Sequence, residues 1–176
     1  VWRYDPVVTS DLTPPDWHRD NFTRLAEALA GVVDEVVMSF AHVYTKTRRN
    51  MDAAAAQGNF TWNDPPDSEK RQLAALLAGI ARDHGMTPTL CSQDAYRSDG
   101  IAGARCIDAR RLGDVAGRPI AARIRGNRPD CLCHESRDIG AYDSCGQGCA
   151  YCYAVRDPAK AKQNLAAHDP TRTMLG

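Results

Sequence analysis

Glu35-Val36-Val37-Met38-Ser39-Phe40 is a short apolar run, too brief for a stable helix and rich in valine, and it reads as a buried strand. Working upstream, Thr13-Pro14-Pro15 marks a helix start, with threonine placed to cap the open amides and proline suited to the first turn. Trp17, Phe22, Leu25, Ala26 and Leu29 then recur at helical spacing until Gly31 stops the run. Residues 1–5 are β-prone and stop at Pro6, which predicts a strand with Arg3, Tyr4 and Asp5 at its C-terminal end. Working downstream, residues 44–50 form a polar loop and residues 51–57 suit a short helix. Asp64-Pro65-Pro66-Asp67-Ser68 then leads into a helix over 69–84, with Leu73, Leu76, Leu77 and Ile80 on one stripe and Gly85 as its cap. Residues 87–91 are a third strand. Alternating strands and helices predict an α/β fold, a parallel sheet with helices outside it, in the manner of a partial (β/α) barrel. Such folds gather functional groups at the C-terminal ends of their strands, where Arg3, Asp5, Lys46 and Cys91 fall. The opening Val1-Trp2-Arg3, without a methionine, leads us to expect an N-terminally truncated piece of that barrel.

From residue 105 the periodicity weakens and glycine and proline become frequent. We therefore expect two regions: 1–104, the partial barrel units, and 105–176, a cysteine-rich iron–sulfur region with a C-terminal helix. Within the second, 109–115 suits a short helix, 126–148 a loop organised around metal, and 158–168 a terminal helix. The 176 residues, 43% hydrophobic and 25% charged, suffice for one ordinary globular core. Lysine plus arginine equals aspartate plus glutamate at 22 each, so no global field draws the chain to nucleic acid or to an anionic membrane. No run approaches the roughly 20 apolar residues that span a bilayer, and no secretory signal pattern is present. These features lead to an expected cytoplasmic location with no membrane partner.

Seven cysteines are an odd number, and five of them, Cys131, Cys133, Cys145, Cys149 and Cys152, are crowded together, which suits metal ligation better than a disulfide framework. Cys145, Cys149 and Cys152 spell C-x3-C-x2-C with Tyr151 in the last gap. Three thiolates hold three irons of a 4Fe-4S cluster and leave the fourth iron open. That is the arrangement radical S-adenosylmethionine (SAM) enzymes use, with the cofactor chelating the open iron. Gly146 and Gly148 let the backbone fold closely round the sulfides. A zinc loop or a group of unligated thiols is the plainer alternative. Cys91, Cys106, Cys131 and Cys133 remain, enough to close a second 4Fe-4S cluster or a zinc site, with His134 as a substitute ligand; the competing reading makes Cys91 and Cys106 inert core residues. Lys46, Arg48 and Arg49 form a basic cluster able to meet a cofactor carboxylate or a phosphate, or simply a solvated face. Arg3 and Asp5 read as a catalytic pair or as an ordinary salt bridge. The approach Asp138-Ile139-Gly140-Ala141-Tyr142-Asp143 is expected to shape the cysteine loop, with Asp138 bonding nearby backbone.

The stretch from Cys131-Leu132-Cys133-His134 through Tyr142-Asp143-Ser144-Cys145 to Tyr151-Cys152-Tyr153-Ala154, with Trp2-Arg3-Tyr4-Asp5-Pro6 and Lys46-Thr47-Arg48-Arg49-Asn50-Met51 upstream, resembles the bacterial family called domain of unknown function 1848. The resemblance covers essentially the whole chain. It implies an iron–sulfur protein with a barrel-like fold whose cluster motif follows the sheet, whereas ordinary radical SAM enzymes carry the motif after the first strand. It also implies that Tyr151 sits at the aromatic position near the adenine of SAM; the alternative is that Tyr151 only covers the cluster. The expected activity is reductive SAM cleavage, with Tyr151, Lys46 and Arg48 as cofactor-binding residues, an electron donor such as flavodoxin or ferredoxin, and an unknown small-molecule or macromolecular substrate. A non-catalytic iron–sulfur or zinc module and a nucleic-acid repair or modification lyase are the alternatives.

Overall fold

The computed structural model describes residues 1–137 and 140–173, so the expected role of Asp138 lies outside the described residues. The chain runs β1 (Trp2–Val7), β2 (Thr9–Ser10), α1 (Pro15–Leu29), β3 (Glu35–Phe40), α2 (Thr45–Gly58), β4 (Trp62–Asn63), α3 (Asp67–Asp83), β5 (Thr87–Leu90), β6 (Ala102–Gly103), α4 (Ala109–Ala116) and α5 (Pro158–Ala166). It divides into two compact units. One, the sheet unit, comprises Val1–Ala41 and Thr61–Ser136; the other, the loop unit, comprises His42–Phe60 and Arg137–Gly176.

The sheet unit carries a parallel four-stranded sheet in the order β1-β3-β5-β6. Val36 lies opposite Trp2 on one side and Pro88 on the other, and Met38 lies between Tyr4 and Leu90. The central position of β3 explains its unbroken burial from Val36 to Phe40, because its side chains are covered on both faces. On the edge strand β1, burial alternates along the chain. This strand does not stop at Pro6 as expected but continues to Val7, whose carbonyl accepts from Ala41 N at 3.0 Å. An edge strand tolerates the missing proline N–H. The antiparallel pair β2–β4 and the strand β6 were beyond the reach of patterning, being two residues long each.

Two helices of this unit adjust the expected stripes. In α1 the buried side chains are His18, Phe22 and Ala26, while Trp17 is 43% exposed. The helix has turned so that His18 faces inward, where Tyr4 Oη donates to its Nδ1 at 2.8 Å and its Nε2 reaches Val8 O at 3.0 Å. Thr13 does not cap α1: its hydroxyl donates to Val8 O at 2.8 Å, and Pro14 precedes the helix in extended backbone. In α3, Leu73, Leu77 and Ala81 face the core with Ala74 and Ala78, but Leu76 is 44% exposed. Ala74 and Ala78 replace it on the inward face because their small side chains let helix and sheet approach. Phe22, Met38, Leu77, Met86 and Leu90 are wholly buried and form the centre of the core. Gly85, at a φ of +76°, ends the α3 segment in a conformation open to glycine.

In the loop unit, α2 corrects the expected polar loop at 44–50: a single helix runs from Thr45 to Gly58. No glycine or proline interrupts it before Gly58, Ala53, Ala54, Ala55 and Ala56 favour helix, and Arg48 N donates to Tyr44 O at 2.9 Å. Thr47 and Met51, one turn apart, are its buried side chains. Helix α5 starts at Asp157, whose carboxylate accepts from Ala159 N at 2.8 Å and Lys160 N at 3.2 Å, with Pro158 in the first turn. Among the described residues no helix is long and apolar enough to cross a membrane.

Candidate functional site

The cysteine trio lies on a segment of the loop unit that is closed on itself by one residue. Asp143 is buried in left-handed backbone at a φ of +58°. Its Oδ1 accepts from the amide of Asp157 at 3.1 Å and from that of Arg156. Its own amide donates to Ala154 O at 3.1 Å, and its carbonyl accepts from Asn164 Nδ2 at 2.9 Å. The two backbone amides, Asp157 first, hold the Asp143 carboxyl below the usual carboxylate range. Everything from Asp143 to Asp157 is thereby a closed loop, with Cys145, Cys149 and Cys152 inside it. Cys152 N donates to Cys149 O at 3.0 Å, forming a turn. Gly146 is packed so closely on α5 that a Cβ there would stand 2.9 Å from Leu165 Cδ2. Cys145 and Cys149 are exposed and Cys152 is half-buried.

Lys46, in the first turn of α2, donates to Val155 O, so it is anchored to the same loop. Arg48 follows on α2 and is exposed; Tyr151 is 37% exposed on the loop. The donor set is entirely sulfur, soft and accessible, and it suits iron–sulfur or zinc ligation.

The other four cysteines all belong to the sheet unit. Cys91 follows Leu90 of β5, and its amide donates to Met38 O at 2.9 Å, which fixes it to the C-terminal edge of the sheet. Its Sγ lies 3.4 Å from that of Cys106. Arg3 Nη1 donates to Cys106 Sγ at 3.0 Å and pairs through Nη2 with Asp5 at 2.5 Å; Asp5 also accepts from Ser39 Oγ. Arg128 Nη2 reaches Cys91 Sγ at 3.6 Å, and Ser92 Oγ lies 3.8 Å away. The hydrogen bond from Cys106, followed by those from Ser92 and Arg128, outweighs burial and lowers the Cys91 thiol to about 5, while the same contact pushes Cys106 up. Because Cys106 is exposed, the inert-core reading does not describe it.

Cys131 and Cys133 arrive on a hairpin. Ile124 and His134 form an antiparallel bridge, Arg125 N donates to Cys133 O at 2.9 Å, and a Cβ on Gly126 would lie 2.3 Å from Cys131 O. Leu132 lies over β6, its Cδ1 2.5 Å from where a Cβ of Gly103 would stand. Burial opposes ionisation of Cys131, but hydrogen bonds from the Cys133 and Asn127 backbone and from the Cys133 and Ser92 side chains outweigh it and lower the thiol. His134 is buried and accepts from Ala109 N at 3.2 Å through Nδ1, so its role is at the start of α4.

Sequence reasoning missed Ser92 and Arg128, because their place beside Cys91 depends on the hairpin and on the end of β5, and no local spacing marks either residue. It also missed Gln93, whose buried amide accepts from Phe40 N at 2.8 Å and donates to Phe40 O at 2.9 Å, sealing the end of β3. Among the described residues, no three histidine, cysteine, aspartate or glutamate side chains form a ready metal-holding group. The trio shares one closed loop, and the remaining four cysteines lie in two pairs in the sheet unit. No curated protein and no solved structure matches the chain. The family model described as domain of unknown function (DUF1848) matches residues 1–154, from β1 through both sets of cysteines, and the chain belongs to that family.

Proposed function

We propose that the protein is a radical SAM-type iron–sulfur enzyme. The observation that carries this reading is the closed loop from Asp143 to Asp157, which presents Cys145, Cys149 and Cys152 at C-x3-C-x2-C spacing with exposed or half-exposed thiols. Held by Cys145, Cys149 and Cys152, a 4Fe-4S cluster would supply the one electron that reductive cleavage of SAM requires. The chain's own part is to hold and orient. The three cysteines ligate three irons, Asp143 keeps the two ends of the loop together, and the half-exposed Tyr151 offers a ring face for the adenine. Lys46 and Arg48, in the first part of α2, supply the cations for the cofactor carboxylate; Lys46 exchanges its bond to Val155 O for that contact. On this reading the parallel sheet belongs to a (β/α) barrel, the electron donor is a flavodoxin or ferredoxin, and the setting is the reducing cytoplasm.

The test is electron paramagnetic resonance on the anaerobically reconstituted, reduced protein, with and without SAM. A change in the cluster signal on adding SAM, together with release of 5'-deoxyadenosine, is expected. An unchanged signal sinks the reading and leaves a closed iron–sulfur or zinc module in its place.

A further inference from the structure

Two of the thiols that the trio's loop leaves unused meet at the C-terminal edge of the parallel sheet, Cys91 directly after β5 and Cys106 shortly beyond β6. Strand register brings them there: Leu90 pairs with Gly103 in parallel, Ala104 N donates to Leu90 O at 2.8 Å, and Cys91 packs with Val37 and Ala104. We propose that Cys91 and Cys106 form a thiol–disulfide exchange centre that reduces an anionic low-molecular-weight disulfide.

Three observations carry it. The first is distance. The two Sγ atoms stand 3.4 Å apart, a contact that side-chain rotation shortens to the roughly 2.05 Å of a disulfide bond. The second is asymmetry. Cys106 is exposed whereas Cys91 is 4% exposed, which divides the pair into a sulfur that meets the substrate and a sheltered one that resolves the intermediate. The third is charge. Arg3 Nη1 donates to Cys106 Sγ at 3.0 Å and Arg128 Nη2 to Cys91 Sγ at 3.6 Å, and guanidinium groups beside sulfur favour the reactive thiolate. Asp5, paired with Arg3, offsets one of these two cations, so the surroundings stay positive and suit a disulfide that carries carboxylates.

The chemistry balances with the pair singly ionised. Either sulfur can donate to the other, so Cys91 takes the Cys106 proton as Cys106 Sγ attacks one sulfur of the substrate. The substrate S–S bond breaks and a first small thiolate leaves, taking the proton back from Cys91. Cys91 then attacks Cys106 Sγ, the mixed disulfide breaks, and a second small thiolate leaves. The substrate has gained two electrons, and the protein holds a Cys91–Cys106 disulfide that an external dithiol reduces again.

The experiment exposes the reduced full chain to oxidised glutathione without oxygen, quenches with N-ethylmaleimide and maps the tryptic peptides. Arg97 and Arg105 lie between the two cysteines and separate them onto different peptides, so the readout is independent of the trio and needs no substitution. A Cys91–Cys106 cross-link that excess dithiothreitol reverses is expected. In Cys91→Ser a glutathione adduct is expected to accumulate on Cys106, whereas in Cys106→Ser the adduct on the buried Cys91 is expected to form about tenfold more slowly or less. With each rate divided by that of free dithiothreitol, oxidised glutathione is expected to react about threefold or more faster than the cationic disulfide cystamine. Both thiols left reduced, Cys91 or Cys106 cross-linked to a different cysteine, a metal that must be chelated before the pair reacts, or cystamine reacting as fast as oxidised glutathione each overturns the proposal.

Discussion

The sheet unit buries Phe22, Met38, Leu77, Met86 and Leu90 completely, whereas among the described residues of the loop unit only Thr47, Met51, Asp143 and Ala161 are buried. The first is a hydrophobic core of ordinary kind, specified by many interchangeable apolar contacts. The second has almost no apolar interior; its shape hangs on one carboxylate that gathers the amides of Arg156 and Asp157. A region built this way has little burial to set against the entropy of its ordered chain. Under the function proposed above, ligand bonds to metal replace it, as small metal-bound segments draw their folding free energy from such bonds. The difference teaches that the two units are held in different ways: one by a buried apolar core, the other by hydrogen bonds that close a loop.

The sharpest break between the two units is Cys149→Ser. Under the proposed function it lowers 5'-deoxyadenosine release by about a thousandfold or more, while the denaturant midpoint of the sheet unit stays where it was. A large fall in that midpoint would show that the two are not separable. Next in size is Leu77→Ala in the centre of the core, expected to cost about 3 kcal/mol by chemical denaturation while the metal content of the trio at low denaturant is unchanged. Smaller still is a pH effect in the sheet unit. Burial holds His18 below its ordinary value, against the weaker opposing pull of Val8 O, so the folded state keeps it neutral. The unfolded chain takes up the proton first, and the stability contribution of His18, complete above about pH 6.5, falls as pH drops from there toward the lower folded value. Thermal unfolding between pH 5 and 8 should show that slope, and His18→Gln should flatten it.

The loop unit should show no such slope over the same range. The Asp143 carboxyl is held low by backbone amides, so its contribution is present above the unfolded value of about 3.9 and is lost only as pH falls through the lower folded one. The smallest effect comes from Asp143→Asn, which keeps an acceptor oxygen: under the proposed function, a reduction of about twofold in retained iron after desalting, against a larger loss for Asp143→Ala. Equal iron in all three proteins would remove Asp143 from its place as the closure of the loop.

Legibility in the sequence followed the range of the interaction. The strand Glu35–Phe40 and the segments around α1, α3, β5, α4 and α5 could all be read, because apolar period, proline and glycine act within a few residues. Trp17 and Leu76 were misplaced by about one position on the helical wheel, since several rotations of a helix look equally apolar and only the facing sheet selects one. The helical start of α2 was hidden by its charges, which suggest a loop although Lys46 bonds Val155 O and Thr47 is buried. That Cys145, Cys149 and Cys152 share one loop was legible because they lie close together along the chain.

The amino-acid order alone determined that helices alternate with parallel strands and that Cys145, Cys149 and Cys152 share one short segment, since both depend on neighbours along the chain. Only the tertiary structure decided that Cys91 meets Cys106, that Arg3 and Arg128 face those sulfurs, and that residues 42–60 join residues 137–176 in one unit. Those meetings depend on strand register and on where each connection returns, and register is settled by the packing of the whole core, not by any stretch of it.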